Sequence, residues 1–299
     1  MSILCLYDNP FLPESQMEIW ADTLILCLIQ KISRSAIDSV DPDQLLEMFS
    51  AADHDKHKST IPPLDCDHPI FYWIFKNMDF VRWSSASYSQ ALWLSGPPER
   101  NIHQVSSYIV DQEKNNVMST QHLVLYFFCS APIRRRPIVD VFIRTLLSQI
   151  ICSSPRDKRI SIVRSFLRSL HAGIFKKGGA SPWEELDLRK GDSPDENIEK
   201  ILQGPSNELW AALRAVLADE KQRELLVAVD GLDKVEDQKV EFLEGVREFA
   251  THLLKETSKA KILLTSRPQA ETKKVLNGLP CIEYDKERIG WSAPYILLN

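Results

Sequence analysis

A chain of 299 residues, 44% hydrophobic and 26% charged, has ordinary globular composition and is long enough for one large α/β domain plus a smaller helical piece. Its net charge of -5 gives no electrostatic ground for nucleic-acid binding, so no such partner is expected. The longest apolar run, residues 23–29, falls far short of the roughly 20 residues of a membrane span, and no membrane partner is expected either.

The first residues lack a basic leader and are interrupted by Asp8 and Asn9, which argues against a signal peptide. The six cysteines are scattered, with no C-x-x-C pair and no His at metal-ligand spacing. Cys27, Cys129 and Cys152 sit in apolar contexts, where a reduced thiol behaves as a small hydrophobe. A reducing compartment, the cytoplasm, is the simplest expectation.

In chain order, residues 18–32 read as a helix apolar on most faces. Asp41, Pro42 and Asp43 then cap a second helical pattern at Leu45, Leu46, Met48 and Phe49. The polar stretch 52–63, closed by Pro62 and Pro63, reads as a linker, so residues 1–60 form an N-terminal helical segment and linker. Apolar runs of strand character follow at 91–95, 123–128, 225–229 and 261–264, with a weaker one at 281–284. Between them lie amphipathic patterns, Ile138, Phe142, Leu146 and Ile150 in one, Ile160, Val163, Phe166, Leu167 and Leu170 in the next. Residues 176–194, with Gly178-Gly179 and Ser193-Pro194, read as a surface loop. Continuous apolar strands alternating with helices predict an α/β fold, a parallel sheet of about five strands covered on both faces.

Two strand ends carry chemistry. The run Leu225–Val229 delivers Asp230 and, three residues on, Asp233 to a carboxyl edge, where open α/β sheets bind ligands. A carboxylate so placed can hold Mg²⁺ beside phosphates. One strand later come Thr265, Ser266, Arg267 and Pro268, and a guanidinium suits phosphate through its planar fork of donors.

The order Trp93-Leu94-Ser95-Gly96, Tyr126-Phe127-Phe128, Val229-Asp230-Gly231-Leu232-Asp233 and Leu263-Leu264-Thr265-Ser266-Arg267-Pro268 resembles the NACHT domain of filamentous fungi. These domains belong to the STAND class of signalling NTPases and are also called nephrocystin-3-like N-terminal domains. The lead-in His68-Pro69-Ile70-Phe71-Tyr72-Trp73 and Phe80-Val81-Arg82-Trp83 fits it, as does Arg144-Thr145-Leu146-Leu147-Ser148-Gln149 after the second strand. The resemblance covers residues 67–285, followed by a tail at 286–299. It implies a P-loop NTPase-like sheet, nucleotide-controlled oligomerisation, ATP or GTP with Mg²⁺ as ligand, a Walker B-like role for Asp230 and Asp233, and a sensor-like role for Ser266 and Arg267. Asp230 would be the Mg²⁺ ligand.

Where the family carries G-K-P-G-S-G-K-S-T, this chain reads Gly96-Pro97-Pro98-Glu99-Arg100-Asn101-Ile102-His103-Gln104. Only Gly96 and Pro98 match. The two loop glycines fall on Glu99 and Asn101, where side chains cost fit or strain around phosphates. The phosphate-binding Lys falls on Ile102, which cannot supply a charged hydrogen bond typically worth about 1.5–3 kcal/mol. The Mg²⁺-binding Ser falls on His103, a poor partner for a hard cation. The acidic residue expected after Asp233 is Lys234, which is no general base at neutral pH. Arg100, two positions before Ile102, could supply a displaced cation.

The expectation is therefore a degenerate NACHT-like module, a pseudo-NTPase rather than an enzyme. It would act through other proteins or self-association, with at most weak ATP or GTP binding through Arg100 and Asp230. A slow NTPase, a truncated relic and an accessory protein of a fungal gene cluster are the rivals. The cluster Asp53-His54-Asp55-Lys56-His57 offers metal-ligand types on a polar stretch, for which solvation is the default. Arg134-Arg135-Arg136 and the helix bearing Arg159, Arg164 and Arg168 are read as solvated charge.

Overall fold

The computed structural model describes residues 54–63, 74–97, 101–115, 122–131, 137–176, 206–219, 223–257 and 259–283. The helices expected within residues 1–53, most of the loop expected at 176–194, the run Arg134–Arg136 and the tail lie outside them.

In chain order the elements are α1 (His54–Thr60), α2 (Met78–Ser85), β1 (Gln90–Ser95), α3 (Ile102–Asn115), β2 (His122–Phe128), α4 (Ile138–Cys152), α5 (Arg156–Lys176), α6 (Ser206–Asp219), β3 (Glu224–Asp230), a 3-10 turn (Leu232–Lys234), α7 (Lys239–Glu256), β4 (Ala260–Ser266), α8 (Ala270–Val275) and β5 (Cys281–Glu283). The five strands form one sheet, ordered β2-β3-β4-β1-β5, with every pairing parallel. The α/β class, the strand number and the strand positions read from the sequence are those observed, and the architecture is P-loop-like.

Strand order and handedness together dictate the layers. From β1 the chain crosses to the far edge at β2, then steps back through β3 and β4 before passing β1 to reach β5. Right-handed crossovers put the β1–β2 connection on one face and the remaining connections on the other. The side chains agree. Trp93, Phe127, Val227 and Ile262 join the larger core cluster with α4 to α8, while Leu92, Leu94, Phe128, Ala228 and Leu263 face α3. One crossover helix cannot cover a five-stranded face. The elements before β1 complete that layer, α2 against β1 through Phe80 and Trp83, and α1 against β2.

The part of the expected linker at His54–Thr60 is thus a docked helix. Its polar sequence carries no apolar periodicity, but Lys58 forms an ion pair with Asp111 of α3, and the Nε2 of His57 shares a 2.9 Å hydrogen bond with the Ser130 hydroxyl. Cys129 is buried as expected, whereas Cys152 at the end of α4 is exposed. Among the arginines read as solvated, Arg159 donates to the Ser154 carbonyl at 3.3 Å.

Two local devices secure the frame. Edge strand β2 has outward backbone groups at Tyr126, and the Gln149 amide pairs with both. Its Oε1 accepts from the Tyr126 N–H at 2.8 Å and its Nε2 donates to the Tyr126 carbonyl at 2.9 Å. A side chain on α4 thereby does the work of a missing strand and blunts a reactive edge. On the larger face, Phe142 lies 5.0 Å from Trp210, 5.1 Å from Phe127 and 5.5 Å from Phe242, ring centre to ring centre. Trp210 closes against α7 because residue 245 is glycine, where a Cβ would come within 2.6 Å of the indole.

Gly245→Ala is therefore expected to destabilise the fold by about 1–3 kcal/mol through overpacking, measured by urea unfolding. An unchanged midpoint would mean that Trp210 can move aside. Gln149→Leu, which keeps bulk and strands both Tyr126 groups, should cost about 1–3 kcal/mol by the same measurement.

Candidate functional site

The carboxyl edge of the sheet brings together most of the residues singled out from the sequence. Phe128 lies opposite Asp230, and Ser95 opposite Ser266, so four loops leave the sheet side by side. Gly96 follows β1 and its N–H donates to the Ser266 carbonyl at 3.2 Å. Pro98 and Arg100 lie outside the described residues. Asn101 then adopts a left-handed conformation, φ 51°, immediately before α3, and its carbonyl accepts from the N–H groups of Gln104 and Val105. Among residues with a Cβ, asparagine is one of those that tolerate this region best. The backbone shape expected of a loop glycine is therefore present at Asn101, at a lower strain than the sequence suggested.

Ile102, where the resemblance puts a phosphate-binding lysine, opens α3 but is 8% exposed and belongs to the α3-side core cluster. Its side chain is a packing element. His103 turns the other way. Its Nδ1 donates to the Asp230 Oδ2 at 2.6 Å, and its Cε1 lies 3.3 Å from where a Cβ on Gly231 would stand. Gly231 itself has φ 73°, so both conformation and space favour glycine there.

Asp230 is 1% exposed. Its second oxygen, Oδ1, accepts from the Thr265 hydroxyl at 2.7 Å, and that hydroxyl accepts from the Gly231 N–H at 2.9 Å. Both carboxylate oxygens thus hold protein donors. Asp233, 7% exposed, accepts from the backbone N–H of Arg267 at 2.9 Å and forms an ion pair with its guanidinium. Ser266 is buried and its hydroxyl accepts from Trp93 Nε1 at 2.9 Å, so it satisfies the core indole. Lys234 is exposed.

The electrostatics follow from these contacts. The hydrogen bond to Asp230 raises the His103 pKa above the ordinary histidine value; burial opposes it, the charges of Asp230 and Asp233 add to it, and Lys234 subtracts. Burial alone would push Asp233 up, but the hydrogen bonds and charge of Arg267 outweigh it and hold the carboxyl below its usual range. Burial lowers His57, with Asp230 opposing and His103 reinforcing. Cys129 is buried beside this cluster, and burial together with the charges of Asp230 and Asp233 pushes its thiol well up. That leaves it a protonated, unreactive group.

Sequence reasoning assembled Asp230, Asp233, Ser266, Arg267 and the loop, but missed Thr265 as a partner of Asp230 and His57 as a neighbour. Thr265 was legible in principle, since it stands one strand over at the same edge. Nothing in the polar run around His57 signals its place. Among the described residues, no group of three or more His, Cys, Asp and Glu side chains could hold a metal. No helix among them is long and apolar enough to cross a membrane.

Strand order, layers and a carboxyl-edge cluster of this kind define a P-loop-like α/β protein. Residues 70–190 match the family model of nephrocystin 3, N-terminal, in keeping with the resemblance read from the motifs. That span includes the loop at 96–104 and α4 and stops before Asp230. No curated protein matches the chain.

His103 gives a pH signature with a definite sign. A histidine whose folded pKa lies above its unfolded value near 6.5 adds stability that is complete below that value and is lost as pH rises through the folded pKa. His57, lowered, contributes in the opposite sense below pH 6.5. Subtracting the stability profile of His103→Gln from that of the native chain should therefore leave a difference that is largest in mild acid and shrinks as pH rises above about 6.5. A difference independent of pH would show that the imidazole is not charged in the folded protein.

Proposed function

We propose that this chain is a NACHT-like P-loop module that does not turn over nucleotide and acts by protein–protein interaction. The carrying observation is the 2.6 Å contact between His103 and Asp230. In a working site of this type, a hydroxyl and a carboxylate share the coordination of Mg²⁺. Here the hydroxyl position is an imidazole that points a proton at the carboxylate. The donor set does not fit Mg²⁺, which needs near-octahedral oxygen ligands. One Asp230 oxygen faces His103 and the other Thr265, so both are taken up by protein donors.

Three further features support the reading. Ile102 is packed into the core in place of a phosphate-directed cation. The Arg267 guanidinium is held by Asp233. Lys234 stands where a water-activating acid would be needed. With catalysis removed, what remains is a rigid sheet whose loops present a surface, and a partner protein or a second copy is the occupant such a module would serve. The left-handed Asn101 favours one secondary reading, that the loop still cradles phosphate weakly without Mg²⁺.

Isothermal titration with ATP and ADP, with and without Mg²⁺, separates these. The native chain should give no Mg²⁺-dependent heat and no hydrolysis of ATP or GTP above blank. The triple variant Asn101→Gly, Ile102→Lys, His103→Ser should gain Mg²⁺-dependent binding. Heat from the native chain that is indifferent to Mg²⁺ would favour the secondary reading. Turnover by the native chain that Asp230→Ala abolishes would overturn the proposal.

A further inference from the structure

The helix α1 stands outside the alternating strand–helix pattern, yet it reaches the candidate site from the α3 side. His57 shares its hydrogen bond with Ser130, two residues past Phe128, and Phe128 lies directly opposite Asp230 in the sheet. The His57 ring also meets the Phe128 ring edge-on at 6.0 Å between centres. Lys58 ties the same turn of α1 to Asp111 on α3, the helix that carries His103 near its start. One short segment thereby bridges the β2 exit and the α3 helix, the two elements that flank the Asp230 edge.

The attachment is of a particular kind. None of residues 56–61 is buried: Lys56, Ser59 and Thr60 are exposed, and His57, Lys58 and Ile61 are partly covered. Ile61, just past the helix, packs against the α3-side core, and polar contacts at His57 and Lys58 with an aromatic edge contact supply much of the remaining attachment. Elements with few buried apolar contacts sit at the low end of a protein's local stability and open without global unfolding. The sheet beneath behaves differently, since β3 and β4 are buried along nearly their whole length.

We infer that α1 is a releasable strap, clipped by His57–Ser130 and Lys58–Asp111 across the edge of the site, and that it couples the chain N-terminal to it to the accessibility of the Asp230 edge. Tension or binding on the preceding residues would undock α1 first, because its polar clips break before any core strand does. The inference does not depend on whether the site takes nucleotide.

Hydrogen exchange read by mass spectrometry on the full chain tests it. Peptides covering 54–61 should exchange far faster than those covering 225–230 and 261–266, and faster still in 1 M salt, which screens the Lys58–Asp111 pair. In Lys58→Met with Ser130→Ala, exchange of 54–61 should rise by about tenfold or more. Peptides spanning 101–105 and 230–234 should rise with it, while the β4 peptide stays unchanged. If 54–61 is as protected as the β3 and β4 core in the native chain, or keeps its protection through both salt and substitution, α1 is no strap. If it is released while 101–105 and 230–234 remain unaltered, the coupling to the site is wrong. The salt arm uses the native chain, so a variant that fails to fold leaves the question decidable.

Discussion

A carboxylate that is 1% exposed must be neutralised, and the way Asp230 achieves this shapes everything around it. The strand β3 is buried along its length and ends at this residue, so the charge arrives in a place that water barely reaches. A buried anion left without a cation costs about 3–5 kcal/mol, with water near the half-exposed imidazole moving the figure toward the low end. His103, its pKa raised toward the charged form by this contact, supplies one donor and Thr265 the second. Gly231 has to be glycine partly because the imidazole lies against it. The neighbouring acid, Asp233, solves the same problem with Arg267. Both acidic groups are compensated from within the chain.

That internal compensation fits the asymmetry of the layers. Among the described residues, the larger face carries α4 to α8 and the aromatic cluster, and it fixes the sheet. The thinner face carries α3, whose first turn holds Ile102 inward and His103 toward Asp230. Adjacent residues on a helix point about 100° apart, so one can serve the core while the next serves the edge. Burying Ile102 anchors the start of α3 and so fixes where His103 stands. The two substitutions are mechanically linked: the apolar one positions the helix turn from which the imidazole reaches its partner.

The sheet was legible in the sequence because parallel strands buried on both faces appear as unbroken apolar runs. All five runs lie at the observed strands, from Leu92 to Ile282. The charged ends were legible for the same reason, since Asp230 and Arg267 interrupt such runs abruptly. What stayed hidden was pairing. The sequence shows His103 as a poor magnesium ligand, but a hydrogen bond across 127 positions depends on how α3 is seated against β3. The helix α1 was hidden because tertiary polar contacts, and no periodicity, hold it to the fold. Gln149 likewise looked like one more polar face residue until its distance to Tyr126 showed it standing in for a strand.

The pairing also constrains substitution at either position. Exchanging His103 alone would leave Asp230 buried with Thr265 and no positive charge beside it, which disfavours the folded state unless an ion enters. Exchanging Ile102 alone would put an ammonium into a cluster with Leu94, Val105 and Phe128, and a lysine there would keep its charge only by swinging out and loosening the first turn of α3. Each single step is opposed by the contacts the other residue makes. The present arrangement is consequently a self-consistent packing solution. Its stability rests on the same side chains that occupy both oxygens of the carboxylate.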